Sequence, residues 1–292
     1  DAHRLIEEAH ALDLRVVIDL VPNHTSDAHE WFQAAIAAEP GAPERQRYLI
    51  RDGRGPSGEL PPNNWRSLFG GEGWSRLKRP DGTPEQWYLH LFDVHQPDLD
   101  WNSDLVKEGF DDILRHWLDL GVDGFRLDTV NFYFHSQTLH DNPPQSRRGK
   151  QVPEADRVNP YTWQRHLYDK TQPENLEFLK RLRALLDQYP DTTTVGEVGA
   201  DNALEVIAQY TADGDKLHMA YSFDLLHEHH SAEYLHQVFG KFGRIVKDGW
   251  PSWAISNHDC PRIRTRWGGQ QGGEAVARLA AAMQMTLRGS PC

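Results

Sequence analysis

The feature that most constrains the fold of this chain is the regular alternation of amphipathic helices with short apolar strands. The spacing of apolar residues predicts helices at residues 2–12, 105–120, 174–189, 232–246 and 275–287. Runs typical of buried strands lie at residues 16–21, 124–130, 193–198, 219–226 and 253–259. Strands that alternate with helices usually pair in parallel, with helices on both faces of the sheet. The chain is therefore expected to belong to the α/β class.

Acidic residues lie at or near the carboxyl ends of four predicted strands. They are Asp19, Asp128, Glu197 and Asp259. A barrel gathers the ends of many strands around one axis and places its active site there, whereas a doubly wound sheet binds ligands mainly at a switch point. No G-x-G-x-x-G motif follows any strand, which weakens the nucleotide-binding alternative. We therefore predict a TIM-type (β/α)8 barrel.

Two long polar segments interrupt the alternation. Residues 27–104 are rich in Gly, Pro, Asn and Trp, and they far exceed the few residues of an ordinary connection. We interpret them as a loop-rich domain inserted after the Asp19 strand, so that residues 1–26 and 105–292 form the barrel. A second polar loop, residues 135–171, leaves the Asp128 strand and includes Arg147-Arg148. Both segments follow carboxyl ends of strands and are expected to wall a pocket.

Composition argues against several classes of partner. A formal net charge of −12 argues against nucleic acid, because binding to phosphates requires a basic surface. No apolar run approaches the ~20 residues of a membrane-spanning helix, so we expect no membrane partner. The two cysteines, Cys260 and Cys292, form neither a C-x-x-C pair nor a disulfide framework. This usage fits a reducing compartment, and a cytoplasmic location is expected.

The acidic residues fit hydrolysis of a glycosidic bond with retention of configuration. That reaction uses two carboxyl groups about 5–5.5 Å apart, one as nucleophile and one as acid. Arg126 and Asp128 are two apart on a strand and point to the same side, so the guanidinium would keep the carboxylate ionised. Glu197 lies in an apolar strand with fewer local cations, which favours retention of the proton that an acid must donate. Taken singly, each acid could instead cap a helix, and Arg126–Asp128 could be a structural ion pair.

Four segments resemble, in order, the signature blocks of the α-amylase family of glycoside hydrolases (family 13), and closely those of its α-glucosidase and oligo-1,6-glucosidase branch. The blocks are Asp19-Leu20-Val21-Pro22-Asn23-His24, Gly124-Phe125-Arg126-Leu127-Asp128, Gly196-Glu197 and Asn257-His258-Asp259. Gln96-Pro97-Asp98-Leu99-Asp100 is similar to a further block near the end of the family's inserted domain B. The resemblance implies a truncated barrel that holds strands three to seven and the start of strand eight. Missing strands would expose sheet edges, so we expect the isolated segment to be unstable and nearly inactive.

The resemblance also implies roles for individual residues. It makes Asp128 the nucleophile, Glu197 the acid/base and Asp259 the group that stabilises the transition state. Asp19 would support the site, and the residues that line the glucose subsite would be His24, Arg126 and His258. No metal-binding residue is implied in this chain. No cofactor is expected to be required, and a structural Ca²⁺ or Mg²⁺ would bind in the part of the family domain that precedes residue 1.

Thr129 occupies the position after the nucleophile, which in this branch helps to select the linkage. The resemblance associates Val there with α-1,6 bonds and Thr or Ala with α-1,4 bonds. We therefore expect an α-glucosidase whose partners are small α-glucosides, which releases terminal α-1,4-linked glucose from maltose and short oligosaccharides and also transfers glucose to other alcohols. Oligo-1,6-glucosidase, trehalose synthase and sucrose hydrolase remain alternatives, as does a catalytically silent relative that acts by binding a partner.

Overall fold

The computed structural model describes residues 1–146, 155, 158–269 and 272–292. Its α-helices are α1 (Ala2–His10), α2 (Glu30–Ala37), α3 (Asp104–Asp119), α4 (Glu174–Leu186), α5 (Ala203–Thr211), α6 (Ala232–Ile245), α7 (Ile263–Arg266) and α8 (Gly273–Thr286). Its strands are β1 (Val17–Leu20), β2 (Ile50–Arg51), β3 (Trp74–Lys78), β4 (Pro84–Leu89), β5 (Gly124–Leu127), β6 (Thr193–Val198), β7 (Met219–Ser222), β8 (Ser252–Trp253) and β9 (Ser290–Pro291). The alternation of helices and strands follows the sequence prediction.

The central sheet consists of parallel strands that follow one another in chain order. β1, β5, β6 and β7 pair side by side, with Asp19 opposite Arg126 and Glu197 opposite Tyr221. A parallel bridge from Ala220 to Pro251 extends this order to β8, which pairs with β9. Within the described residues this is the strand order and direction of part of a (β/α)8 barrel. Because the strands are parallel, their carboxyl ends meet at one end of the sheet.

Helix α3 shows how the sequence covers this sheet and sets the start of a strand. Its buried face consists of residues at intervals of four, namely Val106, Phe110, Leu114 and Leu118. That spacing is close to the helical period and keeps one apolar stripe on the sheet. The helix stops before Gly121, whose φ of +102° is a conformation that glycine adopts without the steric cost of a Cβ. The chain reverses direction at this glycine and then begins β5, which contains Arg126.

Residues 27–104, which the sequence predicts to be a loop-rich inserted domain, include a few short regular elements. They form helix α2 and a three-stranded antiparallel sheet in the order β2-β4-β3. A separate apolar core includes the buried indoles of Trp65 and Trp74. Asn63 connects the two, since its side-chain oxygen accepts from the backbone N–H of Trp65 and from Nε1 of Trp74. Phe132, from the loop after β5, joins this core, so the insertion packs against a loop that borders the carboxyl end of the barrel.

The predicted strand at 253–259 is wrong over most of its length. Only Ser252–Trp253 is a strand, and the chain then enters a loop whose polar side chains satisfy its backbone. The side-chain oxygen of Asn257 accepts from the backbone N–H of Asp259 at 3.1 Å. This local bond competes with strand pairing, as short polar side chains commonly do. Asp259 therefore lies on a loop and not at the end of an extended strand.

Other element boundaries differ by smaller amounts. The strand predicted at 219–226 ends at Ser222, whose hydroxyl caps a tight turn over Phe223–Leu225. Helix α5 is not among the helices that the apolar spacing predicts, although Val206, Ile207 and other residues of it are buried. Arg147-Arg148, named above in the second polar loop, lies outside the described residues.

Candidate active site

A cavity of about 600 Å³ opens at the carboxyl end of the sheet. Seven of the eight residues predicted for the site line it, namely Asp19, His24, Asp128, Thr129, Glu197, His258 and Asp259. The insertion contributes Leu68, Phe69 and Phe92 to the wall. A neighbouring cavity of about 740 Å³ shares Phe223, Leu226 and His227 with it, but the lining of that cavity includes none of the predicted site residues. The smaller cavity is therefore the candidate active site.

Arg126, the eighth predicted residue, connects three carboxylates. Its Nη1 lies 2.9 Å from an oxygen of Asp19 and 2.5 Å from Oδ1 of Asp128, and its Nη2 lies 2.7 Å from Oε1 of Glu197. The spacing of two residues accounts for the contact with Asp128, and the register of β1 with β5 accounts for that with Asp19. Burial opposes the charge of Arg126, yet Glu197 and the surrounding partners raise its pKa overall. The guanidinium thus stays charged and holds the carboxylates in fixed positions.

Glu197 is almost completely buried, with 3% of its surface exposed. The expectation that it has fewer cations nearby is wrong, because Arg126 contacts it as closely as it contacts the other acids. Burial nevertheless raises the pKa of the Glu197 carboxyl above its ordinary value, while Arg126 and a hydrogen bond from Tyr221 lower it. Desolvation is the largest of these effects, so burial and not the absence of a cation favours the protonated form.

Thr129 sits at a strained turn between the two acids. Its φ is +43°, which is rare for a β-branched residue and costs of order 1–3 kcal/mol. The turn brings the backbone N–H of Thr129 to 3.3 Å from Oε2 of Glu197 and its hydroxyl to 3.4 Å from Oδ2 of Asp128. Tyr133 supports the turn, since its buried hydroxyl donates to the backbone oxygen of Asp128 at 2.7 Å.

His24 lies on another side of the cavity as a mostly buried imidazole. Burial lowers its pKa, although Asp98 and Asp128 oppose that effect. The ring is therefore neutral at neutral pH and can offer one donor and one acceptor. Its two nitrogens lie 3.3 Å from Nδ2 of Asn23 and 3.0 Å from Nε2 of Gln96. Because both amide nitrogens are donors, the one acceptor nitrogen of the neutral ring can bond to only one of them.

His258 and Asp259 line the same cavity but are much more exposed. Their side chains are 66% and 61% exposed, respectively, and Nε2 of His258 lies 3.5 Å from Oδ2 of Asp259. The loop after β8 thus brings Asp259 to the cavity without burying it. The predicted third acid shares the site with the other two, but its environment is close to that of a surface carboxylate.

Tyr221 is the main residue of the site that the sequence argument does not identify. Its hydroxyl lies 2.7 Å from Oε1 of Glu197 and 3.0 Å from Nη2 of Arg126. A sequence pattern could have identified it, because Tyr221 is a polar group within the largely apolar predicted strand at 219–226, the next predicted strand after that of Glu197. Only the pairing of Glu197 with Tyr221 across β6 and β7 shows that the two side chains meet.

The described residues lack both a cluster of metal ligands and a helix suited to a membrane. Within residues 1–146, 155, 158–269 and 272–292, no group of three or more His, Cys, Asp or Glu side chains is arranged to hold a metal ion. In the same described part of the chain, no helix has the length and apolar character to cross a membrane.

Comparison with known proteins connects this geometry to a family. A family model described as the alpha-amylase catalytic domain matches residues 1–292. A probable alpha-glucosidase of Rhizobium meliloti (strain 1021) is 45% identical over 295 residues, which cover 100% of this chain and 52% of that protein. The trehalose-6-phosphate hydrolase of Bacillus subtilis (strain 168) is 33% identical over 310 residues, which cover 100% of this chain and 50% of that protein.

Solved structures of similar sequence also match this chain over nearly its whole length. An alpha-glucosyl transfer enzyme superposes with a TM-score of 0.92 at 46% identity, covering 99% of this chain and 53% of that one. The isomaltulose synthase of Klebsiella sp. LX3 superposes with a TM-score of 0.80 at 31% identity, and the match covers 99% of this chain and 50% of that one. These matches confirm the predicted α/β barrel class. The chain spans about half the length of the relatives that it matches.

Proposed function

Because this chain belongs to the alpha-amylase family of glycoside hydrolases, we propose that the protein is a retaining α-glucosidase that releases α-1,4-linked glucose from maltose and short oligosaccharides. The observation that carries the proposal is the contact of a single guanidinium, that of Arg126, with both Asp128 and Glu197 in one cavity. The two acids share this cation but differ in burial, since 19% of the Asp128 side chain and 3% of the Glu197 side chain is exposed. A site that must hold one carboxylate ionised and a second one protonated needs such unequal environments.

In the proposed first step, the Asp128 carboxylate attacks the anomeric carbon while Glu197 protonates the departing glycosidic oxygen. The C–O bond to the leaving sugar breaks, and a covalent glucosyl ester on Asp128 forms. In the second step, Glu197, now a carboxylate, takes a proton from water as the water attacks the anomeric carbon and releases Asp128. Two inversions give net retention of the α configuration.

The proposed partners of these two acids act through charge. Arg126 forms an ion pair with Asp128, and burial raises the pKa of the Glu197 carboxyl, which favours the proton that an acid must donate. Asp259 would face the positive charge that develops on the sugar ring. His24 and His258 would bind hydroxyls of the same glucose unit, and Asp19 would hold Arg126 from the far side.

The proposed linkage rests on Thr129, which lines the cavity beside Asp128. A hydroxyl and one methyl group leave a smaller and more polar wall than valine would. Curated relatives carry several names, including oligo-1,6-glucosidase for proteins that are 32% identical. The choice between α-1,4 and α-1,6 bonds is therefore a part of the proposal that experiment must decide.

The test uses the full-length purified protein with maltose, isomaltose, sucrose and trehalose, and the Asp128→Asn variant as the blank. We expect glucose release to be fastest from maltose, with the first-formed glucose in the α configuration by NMR. First-formed β-glucose would contradict the retaining mechanism, and a preference for isomaltose would contradict the proposed linkage. Absence of glucose from all four sugars would overturn the proposed hydrolase function.

Transfer of glucose to other alcohols is a second candidate activity. The observation that favours it is the match to a solved structure described as an alpha-glucosyl transfer enzyme, at 46% identity and a TM-score of 0.92. Chemically, transfer differs from hydrolysis only in the second step, where an alcohol replaces water. Maltose incubated with a small alcohol should yield the α-glucoside of that alcohol, and its share of the product should rise with alcohol concentration.

A further inference from the structure

Tyr221 has a defined hydrogen-bonding direction within the site. It lies opposite Glu197 in the parallel pairing of β6 and β7, and only 4% of its surface is exposed. Nη2 of Arg126 lies 3.0 Å from the phenol oxygen and must be the donor, because a guanidinium has no acceptor. The single hydroxyl hydrogen of Tyr221 is then directed to Oε1 of Glu197, 2.7 Å away.

This direction makes the two oxygens of the Glu197 carboxyl unequal. Oε1 accepts from Tyr221 and also forms an ion pair with Nη2 of Arg126 at 2.7 Å. Oε2 has a longer contact, at 3.3 Å, with the backbone N–H of Thr129. A proton on Oε1 would point at another donor, whereas a proton on Oε2 is compatible with these contacts. Since Glu197 lines the cavity, Oε2 is the oxygen suited to reach a substrate.

We propose that Tyr221 is a positioning residue that reserves Oε1 of Glu197 for the protein and keeps the transferable proton on Oε2. The inference rests on the proposed function, because it presumes that Glu197 is the acid/base of a glycosidase. Tyr221 touches neither the anomeric carbon nor the leaving oxygen in this scheme. It acts through Glu197, by stabilising the carboxylate form with a charge-assisted hydrogen bond.

The charged groups around Glu197 determine the sign of the expected effect. Burial raises the pKa of the Glu197 carboxyl and the neighbouring Asp128 adds to this, while Arg126 and the hydrogen bond from Tyr221 lower it. Loss of the phenol hydroxyl removes a lowering effect, so the pKa of Glu197 rises further. Several titratable or charged groups of the described residues face Glu197 or its cavity. They are Arg126 of β5, Asp128 of the turn after it, Tyr221 of β7, Asp19 of β1 through Arg126, Tyr133, His24, His227, His258, Asp259 and Cys260.

The two half-reactions respond differently to this rise. Glycosylation needs protonated Glu197 and is lost as pH rises through its pKa, so the alkaline limb of kcat/KM moves to higher pH. Deglycosylation needs the carboxylate as base, so at neutral pH it slows when less carboxylate is present. Tyr221→Phe should therefore extend kcat/KM into alkaline conditions and lower kcat near neutral pH. A purely structural role for Tyr221 would lower activity without moving the limb.

The experiment compares pH profiles of kcat/KM on maltose for the full-length protein, Tyr221→Phe and Tyr210→Phe. Tyr210 is the matched control, because it is 2% exposed and its hydroxyl accepts a 2.8 Å hydrogen bond from Asn175 away from the cavity. We expect the alkaline limb to move up by about one pH unit in Tyr221→Phe, the size expected for one hydrogen bond to a charged group. The limb of Tyr210→Phe should coincide with that of the unaltered protein.

A second substitution covers the case in which Tyr221→Phe does not fold. 3-Fluorotyrosine at position 221 keeps the ring and the hydroxyl but donates a stronger hydrogen bond, so the limb should move to lower pH. An active protein whose limb is unmoved by whichever of the two substitutions folds would overturn the role of Tyr221 and leave the α-glucosidase proposal intact. A full-length protein that releases no glucose from any α-glucoside would overturn both.

Discussion

Two parts of the cavity wall hold their acids in different ways. The part formed by β5, β6 and β7 buries Glu197 to 3% exposure and joins it to Asp128 through Arg126. The part formed by the loop after β8 leaves the side chain of Asp259 61% exposed, beside an equally open His258. Strand register builds the first part, and loop conformation builds the second. We call them the strand wall and the loop wall.

This difference indicates where a substitution should change both catalytic activity and folding stability. Charges on the strand wall have lost most of their water, so each depends on the others, and removal of one leaves an uncompensated buried charge. Charges on the loop wall keep their water and contribute little to stability. Substitutions of charged residues on the strand wall should therefore affect folding as well as catalysis, whereas those on the loop wall should affect catalysis alone.

The largest effect is expected for Asp128→Asn on the strand wall. An amide cannot form the covalent ester that the proposed mechanism requires, so kcat on maltose should fall by about 1,000-fold or more. Steady-state kinetics of the full-length protein measure this, with Asp112→Asn on the exposed face of α3 as the control. Retention of more than a tenth of the activity would remove Asp128 from the nucleophile's role.

Asp259→Asn tests the loop wall and should separate catalysis from stability. Loss of a carboxylate that faces developing positive charge should reduce kcat about 100-fold or more. The melting temperature should stay close to that of the unaltered protein, because the side chain is largely hydrated. Calorimetry alongside kinetics gives both values. A large drop in melting temperature would show that the loop wall is more firmly held than its exposure indicates.

Arg126→Met is the complementary test on the strand wall. Removing the guanidinium leaves Asp128 and Glu197 without their shared cation, which should cost about 3–5 kcal/mol of unfolding free energy. Denaturant unfolding of the full-length protein measures the loss, with Arg4→Met on the exposed face of α1 as the control. If Arg126→Met is as stable as Arg4→Met, the buried carboxyls take up protons without a cost in unfolding free energy. That result would contradict the mutual dependence of the charges on the strand wall.

Thr129→Val should have the smallest effect on total activity. Valine at this position should raise the ratio of the isomaltose rate to the maltose rate several-fold. A change of that size corresponds to about 1 kcal/mol of differential transition-state binding. The positive φ suits valine no better than threonine, so folding stability should change little. Rates on the two disaccharides, measured in parallel for Thr129→Val and for Thr286→Val near the end of α8, check this. An unchanged ratio would show that Thr129 does not select the linkage.

Much of the barrel could be predicted because its signals are local. Apolar spacing located α3, α4, α6 and α8 to within a few residues, and each strand of the central sheet lies within a predicted run. The prediction was poorest after β8, where only two residues are extended and the side chain of Asn257 bonds to the backbone. Apolar residues continue through Ala254 and Ile255, which are buried without forming a strand, so burial alone gave a misleading strand signal.

The inserted segment shows what composition leaves open. Its Gly, Pro and Asn content indicates loops, yet a three-stranded sheet forms around Trp65 and Trp74. Its core brings together residues that are distant in sequence, such as Leu49 and Phe132. Composition reports only local preference, and it does not contain these long-range contacts.

The sequence by itself determined the identity of the acids and the side of the strand that Arg126 shares with Asp128, because residues two apart on a strand face the same way. Tertiary structure decided how those acids differ. Burial raises the pKa of Glu197 despite its cation, Tyr221 meets it through the register of β6 with β7, and Asp259 stays hydrated on a loop. Desolvation and strand register arise from the packing of distant segments, so no local pattern in the chain could specify them.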